Sequence, residues 1–163
     1  MARLLIIAMQ ATCACAQDDP AKQLRNWFDD PFFQVSEQVA GCAEPRGPRL
    51  TKSEMEREAH ARTERGTRCY LEGKCAKANA YQYDAAIASE LRRRLIGAPV
   101  LRGTTVWVTV ERRWVWLQGC VSSGAQARKL EAAARGVPDV ERVFLEVGSR
   151  DKPPYATLIV PPR

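Results

Sequence analysis

The chain is predicted to fold as an α+β protein. Its centre is a small α-β-β-α-β unit, a mixed three-stranded sheet with two helices on one face, preceded by a disulfide-tied, partly helical N-terminal extension. Three observations predict this. The stretch 104–121, TTVWVTVERRWVWLQGCV, alternates with a period of two. Segments with helical periodicity flank it on both sides. Four cysteines remain once a short leader is set aside, and the chain offers no apolar run long enough to span a bilayer.

The first residues read as an export signal over 1–16. Arg3 supplies a short positive region, 4–9 a short apolar one, and Ala14-Cys15-Ala16 a small-residue site with cleavage before Gln17. Lipidation at Cys13 or Cys15 is the second reading, since the aliphatic residue usual three places upstream is missing. In an oxidising compartment Cys42, Cys69, Cys75 and Cys120 then read as two disulfides. Neither zinc-knuckle nor C-x-x-C spacing is present.

The extension, 17–80, begins with a mostly irregular segment. Residues 24–28 allow a helical turn that Asp30-Pro31 should end. Trp27, Phe28, Phe32 and Phe33 form an aromatic cluster, read as a flap that packs onto the domain rather than as a membrane-touching segment. Residues 43–50 form a connector. Thr51-x-x-Glu54 is a capping box that opens a polar helix over 52–65, with Gly66 as its C-cap. His60, the only histidine, lies on this charged helix without a partner at recognisable spacing and reads as surface. Cys69 to Cys75 reads as a small loop.

The unit over 81–148 begins with Asp84 as cap of a helix over 85–95, whose core stripe is Ile87, Leu91 and Leu95. Arg92, Arg93 and Arg94 lie near its C-terminus, where cations suit the helix dipole. The hairpin follows. Val106, Val108 and Val110 share an inner face with Val115, Leu117 and Val121. Trp107, Trp114, Trp116, Gln118 and Cys120 share the outer one. Tryptophans seldom line water without a reason. Cover by another part of the chain is the favoured reading, and contact with a ligand, lipid or partner is the competing one. Ser123-x-x-Gln126 opens a second helix to Arg135, with Ala127, Leu130, Ala133 and Ala134 on its buried side. A third strand over 140–147 carries Val143, Leu145 and Val147 on one face and Phe144 on the other. A helix crossover joins it to 114–121, so the two should run parallel. The tail, 149–163, has room for a short edge strand over 155–160.

This order resembles the BON domain of bacterial exported proteins. Asp84, Ile87, Leu91 and Leu95, then Val106, Val108 and Val110, then Val115-x-Leu117-x-Gly119-x-Val121 carry the likeness. The alanine-rich second helix, Gly136-Val137 and Val140-x-x-Val143 complete it. The family's hairpin turn commonly has glycine where this chain has Arg112-Arg113. Arginine is disfavoured in a two-residue primed turn, so a wider loop is expected. The outer-face tryptophans look particular to this chain. The resemblance implies a non-catalytic module of the periplasm or cell envelope, of a kind connected with phospholipid binding and envelope stress.

The residues agree with that implication. No nucleophile–base pair, phosphate loop or metal-ligand spacing is found, so no catalytic residue, metal or cofactor is assigned. The net charge of +6 suits an anionic surface. Export favours phospholipid over nucleic acid, and a protein partner in the envelope is the alternative. Candidate contact residues are Arg92, Arg93, Arg94, Arg112, Arg113, Trp107, Trp114 and Trp116. Cys69 and Cys75 are close enough to close a loop, which leaves Cys42 for Cys120, although Cys42 with Cys69 or Cys75 is also sterically plausible. A Cys42–Cys120 bond would draw the aromatic segment 27–33 over the tryptophans.

Overall fold

The computed structural model describes residues 23–158. The leader, with its export and lipidation readings, lies outside them. The elements run β1 (Phe32–Glu37), α1 (Lys52–Leu71), a one-turn 3-10 helix (Ala80–Tyr83), α2 (Asp84–Leu95), a second 3-10 turn (Pro99–Leu101), β2 (Thr105–Glu111), β3 (Trp114–Cys120), α3 (Gly124–Arg135) and β4 (Arg142–Gly148).

The sheet has four strands in the order β1-β2-β3-β4, not the three expected. β2 and β3 pair antiparallel, and β3 and β4 pair parallel, as the helical crossover requires. The additional strand, β1, pairs antiparallel with β2 and covers an edge that would otherwise be open. Its alternation was hard to see for a local reason: a bulge between Gln34 and Ser36 breaks the period. Phe33 and Val35 pack on the core side.

The aliphatic stripes meet as anticipated. Val106, Val108, Val110, Val115 and Leu117 are wholly buried against Ile87, Leu91 and Leu95 of α2 and Leu130 and Ala134 of α3. Burying each large side chain contributes on the order of 1.5–3 kcal/mol, so this layer stabilises the unit. Gly119 is demanded by geometry. Its φ is +142°, and a Cβ there would overlap the carbonyl oxygen of Thr105 on the neighbouring strand.

Several boundaries differ from expectation, each for a physical reason. α1 runs on to Leu71, six residues past 65, and Gly66 is buried inside it. That glycine makes room for the Asn79 amide instead of ending the helix. The Thr51–Glu54 capping box is present. Residues 24–28 do not form a helical turn; Arg25 bridges to Leu50, and the Asn26 and Asp30 groups bond each other around Asp29, whose φ is +53°. β4 starts at Arg142 rather than 140. Of the edge strand expected over 155–160, the described residues of the tail, which end at 158, contribute a single bridge, Pro45 to Thr157.

Candidate functional site

Two further departures from expectation build the basic surface at the hairpin end. The hairpin turn is not wide. Glu111 pairs directly with Trp114, leaving Arg112 and Arg113 as a two-residue loop with φ of 47° and 71°. Both residues sit in the left-handed region that arginine ordinarily avoids. The compensation comes from Asp84, which does not cap α2 with its side chain. Its carboxylate oxygens accept the backbone N–H of Arg112 and of Arg113, each at 2.7 Å. A charge-assisted pair of bonds of this kind offsets the strain of two left-handed residues. Burial pushes Asp84 up to about 6, against the two amides that favour its anion.

The fixed turn aims its side chains. The Arg112 guanidinium lies 3.3 Å from the centroid of the Trp114 ring. Arg142, at the start of β4, approaches the same ring at 5.1 Å. Trp116 stacks on Phe144 at 4.9 Å, and Trp114 meets both of these rings. Arg113 turns the other way. It donates to the Asp139 carbonyl and to Cys75 Sγ, each at 2.8 Å. The end of α1 and its loop close the far side. The result is an open cleft of about 570 Å³ whose lining carries six cations, Arg65, Arg68, Lys74, Arg112, Arg113 and Arg142, against two carboxylates, Glu72 and Glu141.

Beside this cleft lies a buried ion-pair network that braces α1 against the hairpin. Arg62 donates to both oxygens of Asp30 at 2.6 and 2.8 Å and lies 3.7 Å from Glu111. Its guanidinium is sandwiched between Phe28 at 4.2 Å and Tyr81 at 3.9 Å. Burial raises the pKa of Asp30, Glu111 and Tyr81, while Arg62 opposes the rise at each.

The structure sorts the sequence candidates into two groups. Arg112, Arg113, Trp114 and Trp116 come together at the hairpin end. Trp107 does not join them; it is buried, and its strand neighbours are Gln34 on β1 and Gln118 on β3. Arg92, Arg93 and Arg94 do not join them either. They lie about 12 Å or more along α2 from Asp84, at 1.5 Å per residue. Arg93 and Arg94 pair with Glu90, and Arg92 stacks over Phe33 at 3.8 Å. Arg65, Arg68, Lys74 and Arg142 were not among the candidates. Of these only Arg142 had a readable signal, since it shares strand parity with Phe144.

Both disulfides form, Cys42–Cys120 and Cys69–Cys75. The first draws chain onto the sheet as β1, and the aromatic segment covers the tryptophans only in part. Trp27 turns away and donates to the Leu50 carbonyl at 2.7 Å. Phe28 lines a groove with Trp114 and Trp116, and Gly47 and Pro48 lie against the same face. Trp114 and Trp116 stay half-buried. His60 is 88% exposed in its side chain and pairs only with Glu64. Among the described residues no cluster of three or more His, Cys, Asp or Glu side chains is arranged to hold a metal.

The match to a family model starts at Tyr83, one residue before α2, and ends at Gly148, the last residue of β4. Residues 83–148 match the model of the BON domain. No curated protein and no solved structure matches the chain significantly. BON domains are typical of periplasmic and envelope proteins. Among the described residues, no helix is long and apolar enough to cross a membrane. The region that matches the BON model supplies the hairpin and Arg142 to the cleft, whereas Arg65, Arg68 and Lys74 come from the segment before it.

Proposed function

We propose that the protein is an exported, non-catalytic envelope module that contacts anionic phospholipid through the cleft at its hairpin end and supports envelope integrity. The observation that carries this reading is the excess of cations around Trp114. Arg112 and Arg142 have no carboxylate partner among the described residues, so their charge is available to a ligand. Each cation near an anionic membrane contributes about 1 kcal/mol. An amphipathic tryptophan ring at the same spot suits the headgroup level.

Co-sedimentation with vesicles tests the site. Vesicles of equal parts phosphatidylglycerol and phosphatidylcholine should bind the full chain, and phosphatidylcholine alone should bind it weakly. Arg112→Glu with Arg142→Glu should weaken binding by at least about tenfold, since two cations are replaced by two anions. Arg93→Glu, at the far end of α2, should change it by less than about threefold. Equal loss from both variants would mean that net charge, not the cleft, is read. No binding to either composition would favour a protein-interaction module.

The non-catalytic part of the reading rests on His60, whose imidazole and whose one carboxylate neighbour, Glu64, both lie exposed on the surface of α1 and outside any cleft described above. His60→Ala should leave any envelope phenotype of the protein unchanged. Loss of that phenotype at normal abundance would point to an enzyme.

A further inference from the structure

The two disulfides sit in opposite surroundings. Cys42–Cys120 has one end in the core, since Cys120 is 2% exposed. Cys42 Sγ faces the Thr105 carbonyl at 3.9 Å and the Tyr155 hydroxyl at 3.8 Å, and among the described residues no cation lines the groove beside it. Cys69–Cys75 has both cysteines half-buried and closes a loop whose residues 71–74 are all exposed. Arg65, Arg68, Cys69 and Glu72 recur at helical spacing on α1, so Cys69 shares the cleft with these arginines. Cys75 packs partly against the core, and the Arg113 guanidinium donates to its Sγ at 2.8 Å. Arg113 is itself held twice, by its backbone N–H on Asp84 and by its Nε–H on the Asp139 carbonyl. A neutral disulfide sulfur is a weak acceptor and gains little from such a cation, whereas a departing thiolate gains much.

We propose that Cys69–Cys75 is a thiol–disulfide exchange site that takes a small anionic thiol in the basic cleft, with Arg113 receiving the charge that leaves on Cys75. The proposal does not depend on lipid contact at that cleft. Six cations against two carboxylates concentrate an anionic thiolate beside Cys69. The thiolate, its proton already given to water, attacks Cys69 Sγ. A new S–S bond forms to that sulfur, the Cys69–Cys75 bond breaks, and its electron pair leaves on Cys75 Sγ as a thiolate. The bond from Arg113 then becomes a charge-assisted one. A second small thiolate attacks the added sulfur. It releases the small-molecule disulfide and leaves Cys69 as a thiolate that takes a proton from water. Two small thiols are oxidised and one protein disulfide is reduced.

The test uses the full chain, with mercaptoethanesulfonate as the anionic thiol and cysteamine as the cationic one. Alkylation and peptide mass mapping follow each sulfur. Rates are taken per thiolate and divided by that thiol's rate on oxidised mercaptoethanol, an uncharged disulfide. Cys69 should carry the adduct, with Cys75 free, at least about tenfold faster with mercaptoethanesulfonate than with cysteamine. That preference should shrink as salt rises, and Cys42–Cys120 should stay closed. Arg113→Gln should slow opening by about fivefold or more, through loss of the charge-assisted bond to the leaving sulfur. In the Cys69→Ser background, the ultraviolet absorbance of the Cys75 thiolate should appear at lower pH with Arg113 than with Arg113→Gln, a shift that a purely structural arginine would not give. Equal rates with the two thiols, an adduct on Cys75, Cys42–Cys120 opening as fast, or an unchanged thiolate titration in Arg113→Gln overturns the proposal.

Discussion

At the scale of single residues, Asp84 ties the start of α2 to the hairpin turn. One carboxylate at the start of α2 accepts both amides of the hairpin turn and lets two arginines occupy a backbone region usually left to glycine or asparagine. Asp84→Ala leaves both amides without an acceptor and should cost about 2–4 kcal/mol, read as a lower denaturant midpoint. Asp84 also makes a pH prediction. A buried acid whose folded-state pKa is raised, here from 3.8 to about 6, binds its proton more tightly folded than unfolded. Stability should therefore rise as pH falls through that window, by on the order of 2–3 kcal/mol. Asp30 and Glu111, raised by the same cause, act in the same direction. Thermal melts from about pH 7 to about pH 5 should show the rise in wild type and a smaller one in Asp84→Asn. An equal slope in both would remove Asp84 from the effect. The residue was visible in the sequence, but its role was not. A helix-cap position and a turn acceptor 28 residues apart look alike until the tertiary structure joins them.

At the scale of elements, the region that matches the BON model was largely legible and the extension was not. Strands and helices that bury one face announce it in their period, so β2, β3, α2, α3 and the parallel placement of β4 could be read directly. β1 escaped because a bulge interrupts a six-residue strand. α1 was cut short because a glycine that admits Asn79 looks like a glycine that ends a helix. That Cys120 pairs outside its own unit was legible, as it had no partner there, but spacing alone left Cys42 with Cys69 or Cys75 open beside the observed pairs. The two crosslinks should differ in worth. By loop entropy, the bond spanning 78 residues contributes about 4–5 kcal/mol and the one spanning 6 about 2. Cys42→Ser with Cys120→Ser should therefore lower the denaturant midpoint about twice as far as Cys69→Ser with Cys75→Ser. It should also expose the β1 amides to hydrogen exchange. A larger loss from the short loop would contradict this ranking.

At the scale of the whole molecule, charge decides what the surface can meet. The net charge of +6 was plain from composition, but its placement was not. Three consecutive arginines on α2 form the most obvious cluster in the sequence, yet two of them are paired with Glu90 and the set lies away from the hairpin. The cleft draws on α1, its loop, the turn and β4, which no local pattern groups together. The central claim is that this cleft recognises anionic lipid by charge. It is tested most directly by binding of the full chain to phosphatidylglycerol-containing vesicles while salt rises from about 0.01 M to about 1 M, shortening the screening length from about 30 Å to about 3 Å. The account predicts tight binding at low salt that falls steeply across the series, with little binding to phosphatidylcholine alone at any point. Equal, salt-independent binding to both vesicle types would contradict it.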